Sequence, residues 1–505
     1  MNRQTSSPQD RTASSQGHTS SSQDRTTSLQ GNTSSSQDRT ASLQRHMEML
    51  CETIGARPTG SAKNKEAVDY VLGVFQKCGF EVRKQELDCM DWRDSGASLS
   101  IDGQDMPAVP SEYSLPCDVE AGIVCLDTVD ALQKADLSGK IAVLHGELCK
   151  EPLMPKNFEF YNPDEHKQII ALLEKKAPEA IITVSPNIEH IIQDGDFDIP
   201  CAVVQESRYD NHNSGLSTGL ATGLSTGLAT GLSTGLTTGL ATEPTTGLTT
   251  GLSTGLATGL ATGLTTGLTT GLATEPTTGL TAELSTELTT GLATGLTAKL
   301  TIRTERIPAK AHNVIATYGT GQSTICFAAH IDTKPATPGA LDNASGVSAL
   351  LALAESITGK EYPFKIEIAL LNGEDYYSTP GEIAYMGGLT PEYNMAVNVD
   401  GIGLKDSATS VSFYECPEGL ENRIMERARL IGGIERIEPW PMGDHMIFAM
   451  IGIPTIAMTA SNIFGLLGTV THSPDDDMKN IDISVLNNAV SFLLDCLRGQ
   501  EFEGA

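Results

Sequence analysis

Aromatic residues make up only 5% of this chain, and two of its 505 residues are Trp. So few rings argue against a densely packed core along the whole length. Basic residues are also few: 34 Lys and Arg face 63 Asp and Glu, a formal charge of −29. That balance argues against a nucleic-acid partner, because phosphate binding draws on Lys and Arg. No uninterrupted run of eighteen apolar residues occurs, so no membrane-spanning helix is expected. The opening MNRQTSSPQDRTASSQ lacks the apolar core of a secretory signal. The ten cysteines form no CxxC pair, which argues against a thiolate zinc site. Cys326, set in an apolar run, reads as a small buried hydrophobe. Reduced thiols fit a cytoplasmic protein, and the oligomeric state is left open.

Two low-complexity blocks account for the scarcity. Residues 1–44 repeat a polar phrase, SSSQDRT, with almost nothing to bury, and are expected to be disordered. Residues 211–300 cycle G-L-x-T, and the phrase ATEPTTGL returns after 32 residues. One Leu in four cannot offset the chain entropy, so this block is also expected to be disordered.

The remainder reads as α/β. The N-terminal part, 45–110, carries two amphipathic helices, one on Met47, Leu50 and Ile54, the next on Ala67, Val71, Val74 and Phe75. The strand FEVRKQEL follows. Residues 111–210 hold short strands (AGIVCLD, KIAVLHG, AIITVS, IPCAVVQ) and the helix DEHKQIIALLEKK, a small β-rich α/β insertion. Residues 301–505 alternate strand and helix, which predicts a mixed, mainly parallel central sheet flanked by helices.

In that last part, a polar group follows each strand. TICFAA runs into His330 and Asp332, FKIEIALL into Glu374 and Asp375, and NMAVNV into Asp400. Asp342 and Asn343 open the helix ASGVSALL, and His472 lies in GTVTHSPDDD. Active sites of open α/β sheets collect beyond the carboxyl ends of strands. Imidazole plus carboxylate without thiolate suits a borderline-hard divalent metal, zinc first, with manganese or cobalt as alternatives. Two His and four carboxylates exceed the needs of one zinc and are enough for two ions. Asp342, at a helix start, could bridge them. Adjacent side chains on an extended turn diverge, so one of Glu374 and Asp375 can bind metal while the other serves as general base. Asp332 orients the His330 ring. Taken singly, each group has a plainer reading. Asp342-Asn343 is an ordinary helix cap, Asp475 to Asp477 a solvated capping stretch, Asp444-His445 a structural helix start, and Trp440, Met446 and Phe464 core residues.

Taken together, H-x-D, G-A-x-D-N-A-S-G-V, NGED, NVDGIG and T-H-S-P-x-D-D resemble the M28 metallopeptidases, dinuclear zinc aminopeptidases whose relatives include glutamate carboxypeptidase and glutaminyl cyclase. IGARPTGSAKNKEAVDYVLGVFQKCGFEV resembles their N-terminal segment, and 111–210 a protease-associated domain. The resemblance implies the zinc exopeptidase fold. It implies that His330 and Asp400 hold one Zn2+, that Asp375 and His472 hold the other, and that Asp342 bridges them. Glu374 would be the general base, with Asp332 behind His330. Substrates would be peptides with a free N-terminus. The family usually has Glu where this chain has Asp375, shortening its reach by about one bond. Carboxypeptidase or glutaminyl cyclase chemistry on the same scaffold, and an inactive binding protein of this fold, are the alternatives.

Overall fold

Apolar strands broken by Gly and polar turns assemble into one mixed sheet of fourteen strands in the computed structural model, which describes residues 23–159, 162–185, 190–205, 296–390, 393–466, 470–499 and 502. The repeat block, apart from its last residues, and the first part of the N-terminal tail lie outside the described residues.

The chain begins with helix α1 (Gln23–Glu48), which widens into a π turn over Met49–Ile54. For residues 23–44 this corrects the expectation of disorder. Leu43, Met47 and Leu50 are fully buried on the core. The Arg39 side chain donates to Asn487 Oδ1 and to Ser491 Oγ, both at 2.6 Å, on the last helix of the chain. A polar repeat is thus helical where its few apolar groups meet a partner surface, which overrides composition. Helix α2 (Ala62–Lys77) is capped by Ser61, whose side chain accepts from the Asn64 amide, and it buries Ala67, Val71, Val74 and Phe75.

Strand β1 (Glu81–Ile101) is far longer than FEVRKQEL suggests. It pairs antiparallel along its whole length with β8 (Thr297–Tyr318). Charged side chains alternate outward along both strands, so the hydrophobic signal of this ribbon is weak beyond Leu87. The hairpin strand β2 (Gln104–Met106) completes the end of the ribbon.

Two lobes share this ribbon. The second lobe contains β3 (Val109–Pro110), β4 (Cys117–Leu126), α3 (Val129–Lys134), β5 (Lys140–Leu144), α4 (Asp164–Lys176), β6 (Ala180–Ser185) and β7 (Cys201–Gln205). Strands β4 to β7 are parallel, and β4 joins the sheet by pairing antiparallel with the start of β8. Because β3 pairs with β7, and the far ends of β1 and β8 cover one face, this lobe reaches beyond the 111–210 expected for it.

The first lobe contains β9 (Thr324–His330), α5 (Ser345–Ile357), β10 (Lys365–Leu371), α6 (Pro380–Met386), β11 (Tyr393–Val399), β12 (Thr409–Tyr414), α7 (Glu418–Ile431), β13 (Ile434–Arg436), α8 (Met446–Ala449), β14 (Thr455–Ala460) and α9 (Ile483–Arg498). Strands β14, β11, β9 and β10 run parallel in that order. Their residues are almost wholly buried, as expected for strands covered on both faces. Helix α5, buried nearly end to end, packs with α1 and α9 on one side of them. The α/β class, the mainly parallel sheet and the flanking helices are those expected from sequence. Because the four strands are parallel, their carboxyl ends share one edge.

Candidate metal centre

That edge gathers the sequence-predicted site. His330 is the last residue of β9, Glu374 and Asp375 follow β10 by two residues, and Asp400 directly follows β11. Asp342 lies between β9 and α5, and His472 arrives from the loop before α9. The two Asp342 oxygens face different rings: Oδ1 is 3.0 Å from His330 Nε2, and Oδ2 is 3.1 Å from His472 Nε2. Asp400 Oδ1 is 3.5 Å from His330 Nε2, and Asp375 Oδ1 is 3.3 Å from His472 Nε2. Glu374 Oε2 stands farther off, 4.0 Å from His330 Nε2. Asp375 therefore meets His472 despite its shorter side chain. All five expected ligands converge.

The local chain explains the placement. Asn343, not Asp342, caps α5: its Oδ1 accepts from the Gly346 amide at 2.9 Å, and its Nδ2 donates to the Val399 carbonyl. Asp342 has non-helical φ and ψ and caps nothing, so its carboxylate is free to face the cluster. Its own amide, and that of Leu341, donate to Asp476 at 3.0 and 2.7 Å. Asp476 is fully buried, which corrects the reading of Asp475 to Asp477 as solvated. Only its neighbours fit that reading: Asp475 is exposed, and Asp477 caps a short turn.

Asp332 lies behind His330, with Oδ1 3.6 Å from Nδ1, while its Oδ2 accepts from Thr59 Oγ1 at 2.7 Å. Arg57, fully buried, donates to the carbonyls of Ile331, Pro338 and Gly339 at 2.7, 2.8 and 3.2 Å. The N-terminal segment thus fastens the loop that joins His330 to Asp342. Substituting Arg57→Met strands three buried carbonyls and removes the cation nearest several buried carboxylates. A loss of about 3 kcal/mol or more is expected, read as a lower denaturant midpoint at unchanged slope. The acidic loop is fixed from the other side. Tyr376 Oη accepts from the Met90 amide of β1 at 2.8 Å, and Tyr377 meets Tyr113 of the second lobe edge-to-face.

Electrostatics follow from this crowding. Burial alone would pull His330 down, but Asp400, Asp332 and Asp342 overcome it and hold the ring well above its ordinary pKa. Burial also opposes ionisation of Asp342, but the close approach of the His330 and His472 imidazoles to its two oxygens prevails and holds it far below the carboxylate range. Burial pushes Glu374 well above that range, with Asp375 and Asp400 adding to the effect and His330 opposing it. Burial likewise raises Asp400.

The set fits a divalent cation. Buried His330 Nδ1 and Nε2 and Asp375 Oδ1 have no hydrogen-bond partner of good geometry, although carboxylate and imidazole atoms lie close by. Donor atoms of His330, Asp342 and Asp375 all lie within 4.8 Å of one another. Atoms so near yet so poorly aligned for hydrogen bonding suit a shared positive centre, and imidazole with carboxylate is a zinc-type donor set.

The cluster opens into a cleft of about 680 Å³ between the lobes. Trp440, Met446 and Phe464 line it rather than filling the core, and Phe464 is 49% exposed. Met154 and Phe158 of the second lobe face the same space. Asp444 and His445 stand at the start of α8, as expected, but neither side chain caps the helix. Asp444 and Glu382 are buried carboxyls on this cleft, and sequence gave no reason to expect Glu382 there.

A mixed sheet whose parallel strands bring two imidazoles and a group of acids to one cleft is the framework of a metallopeptidase. Residues 313–496, which hold every residue of the cluster, match the family model for peptidase family M28. No curated protein matches the chain. Solved structures share its fold. An aminopeptidase from Aneurinibacillus sp. strain AM-1 is 18% identical with a TM-score of 0.59, covering 91% of this chain and 93% of its own. BSAP, a zinc aminopeptidase from Bacillus subtilis, is 15% identical with a TM-score of 0.58, covering 91% and 95%. A peptidase M28 precursor from Shewanella amazonensis SB2B is 16% identical with a TM-score of 0.60, covering 93% and 97%. None of the described helices is long and apolar enough to cross a membrane.

Proposed function

We propose that the chain is a zinc-dependent aminopeptidase that hydrolyses the first peptide bond of substrates with a free N-terminus. The observation that carries this reading is the Asp342 carboxylate, with one oxygen toward His330 and the other toward His472. Two ions would be held there, one by His330 and Asp400, the other by Asp375 and His472, with Asp342 shared. When bound, they would polarise the scissile carbonyl and acidify a water molecule. The residues do the rest. Glu374, beside the cluster but farther from the rings, would take the proton from the attacking water and return it to the leaving amine. Asp332, held by Thr59, would fix the orientation of the His330 ring. Asp476 would hold the Asp342 backbone in place through its two amide contacts. The wall of Trp440 and Phe464 would receive an apolar first side chain. On the same reading, the second lobe is a protease-associated domain that narrows the cleft.

The test is a panel of aminoacyl p-nitroanilides with the purified full-length protein. Turnover of amides with a free amine, loss of it with chelator and return of it with added zinc are expected. An N-acetylated control should not be cleaved. Protein that binds no zinc and cleaves no aminoacyl amide after zinc addition would overturn the reading in favour of a binding protein.

A further inference from the structure

The cleft contains a second set of buried oxygens that the chemistry above does not use. Glu382, on α6, and Asp444, just before α8, are each 2% exposed; their carboxyls face one another, and beyond that contact no side chain offers either a hydrogen bond of good geometry. Asn398 Oδ1, on β11, and Thr379 Oγ1, just before α6, are buried and equally unpartnered. All four side chains line the same cleft as Glu374, Asp400 and His472. The position of Glu382 is confined: a Cβ on Gly373, next to Glu374, would lie 3.2 Å from Glu382 Oε2. Among the described residues, no Lys or Arg forms an ion pair with either carboxyl.

An unpaired buried carboxyl costs several kcal/mol, and two adjacent ones cost more. Burial pushes both groups well above the carboxylate range, and the charge of Asp332 adds to this at Glu382 and that of Glu382 at Asp444. The set is acceptor-rich and has no imidazole or thiol. A primary ammonium carries three N–H donors and no acceptor, which complements such a set. The same cleft is lined by apolar Trp440, Met446 and Phe464 and by one lysine, Lys334, which forms no ion pair with either carboxyl.

We propose that Glu382 and Asp444, assisted by Asn398 and Thr379, form the subsite that binds an ammonium group of the substrate. The proposal rests on the peptidase reading for its placement beside the scissile bond. The ammonium has two sources in a peptide, the free N-terminus and the side chain of a first-position lysine. Hydrogen bonds to the charged group would be retained through the transition state, so their loss appears mainly in KM.

The experiment compares the zinc-loaded full chain with E382Q, D444N and the double variant, all near-isosteric. Calorimetric binding of n-butylamine is measured first, since it needs no turnover. Wild type should bind it, and the double variant about tenfold or more weakly at equal zinc content. KM for leucine and lysine p-nitroanilides should rise about ten- to a hundredfold, with kcat changed only a few-fold. Equal rises on both amides assign the N-terminal ammonium, whereas a rise on lysine alone assigns the side chain. If the double variant melts early, E382Q alone serves the same comparison. No butylamine binding by wild type, or equal binding by wild type and variants, would overturn the subsite. If binding depends on the pair but no aminoacyl amide is cleaved, the subsite stands and the aminopeptidase reading falls.

Discussion

Glu374→Gln is expected to lower kcat on aminoacyl p-nitroanilides by about a hundred- to ten-thousandfold, with bound zinc and KM nearly unchanged. Glutamine keeps the shape and the hydrogen-bonding oxygen but cannot accept a proton at neutral pH. Glu374 stands 4.0 Å from His330 Nε2, whereas Asp342 stands at 3.0 Å, so metal should survive the change. Its position is also held independently, by Tyr376 and Tyr377 packed against β1 and the second lobe. Steady-state kinetics with elemental analysis of the same sample decides the point. Wild-type kcat in a variant of full zinc content would remove Glu374 from the chemistry.

The other large effect belongs to Asp342. Asp342→Asn replaces an oxygen that faces one of the two imidazoles with an amide nitrogen, which repels rather than binds a cation. Zinc affinity is expected to fall by at least about a hundredfold, and turnover at micromolar zinc by at least a thousandfold. Thermal denaturation gives a readout free of activity. A ligand present at a hundred times its dissociation constant adds about 2.7 kcal/mol to stability, so zinc should raise the melting temperature of wild type. In the variant that rise should largely vanish. With chelator present, the variant should also melt below wild type. Asp342 lies far below the ordinary carboxylate pKa in the folded chain, so its charged form adds stability above the unfolded pKa, and the amide cannot. A zinc-induced rise equal to that of wild type would show that Asp342 is not shared between ions.

Much of this site could be read from the strands. Each parallel strand is a short, mostly apolar run followed by a polar residue, and parallelism alone sends those ends to one edge. His330, Asp375 and Asp400 were therefore legible as a group, and Asp342 and His472 through the motifs around them. Residues recruited only by tertiary packing were not. Nothing local distinguishes Asp476 from exposed Asp475 beside it, yet one carries two backbone amides and the other faces water. Glu382 sits in an ordinary helix start after Pro380, and only the approach of α8 makes its burial with Asp444 visible. Arg57 reads as a surface cation until the loop closes over it. The part of helix α1 before residue 45 was missed because half of the helix is Ser, Thr and Gln, and its burial depends on a surface built at the far end of the chain. The length of β1 was missed because a two-stranded ribbon with an exposed face carries charge at alternate positions.

The ribbon of β1 and β8 also bears on how material reaches the cleft. Both strands pass from one lobe into the other without a break, so the roof over Glu374 is spliced to the catalytic sheet by paired backbone instead of hung on a flexible linker. Whatever enters the cleft must pass between two lobes joined by continuous hydrogen-bonded backbone.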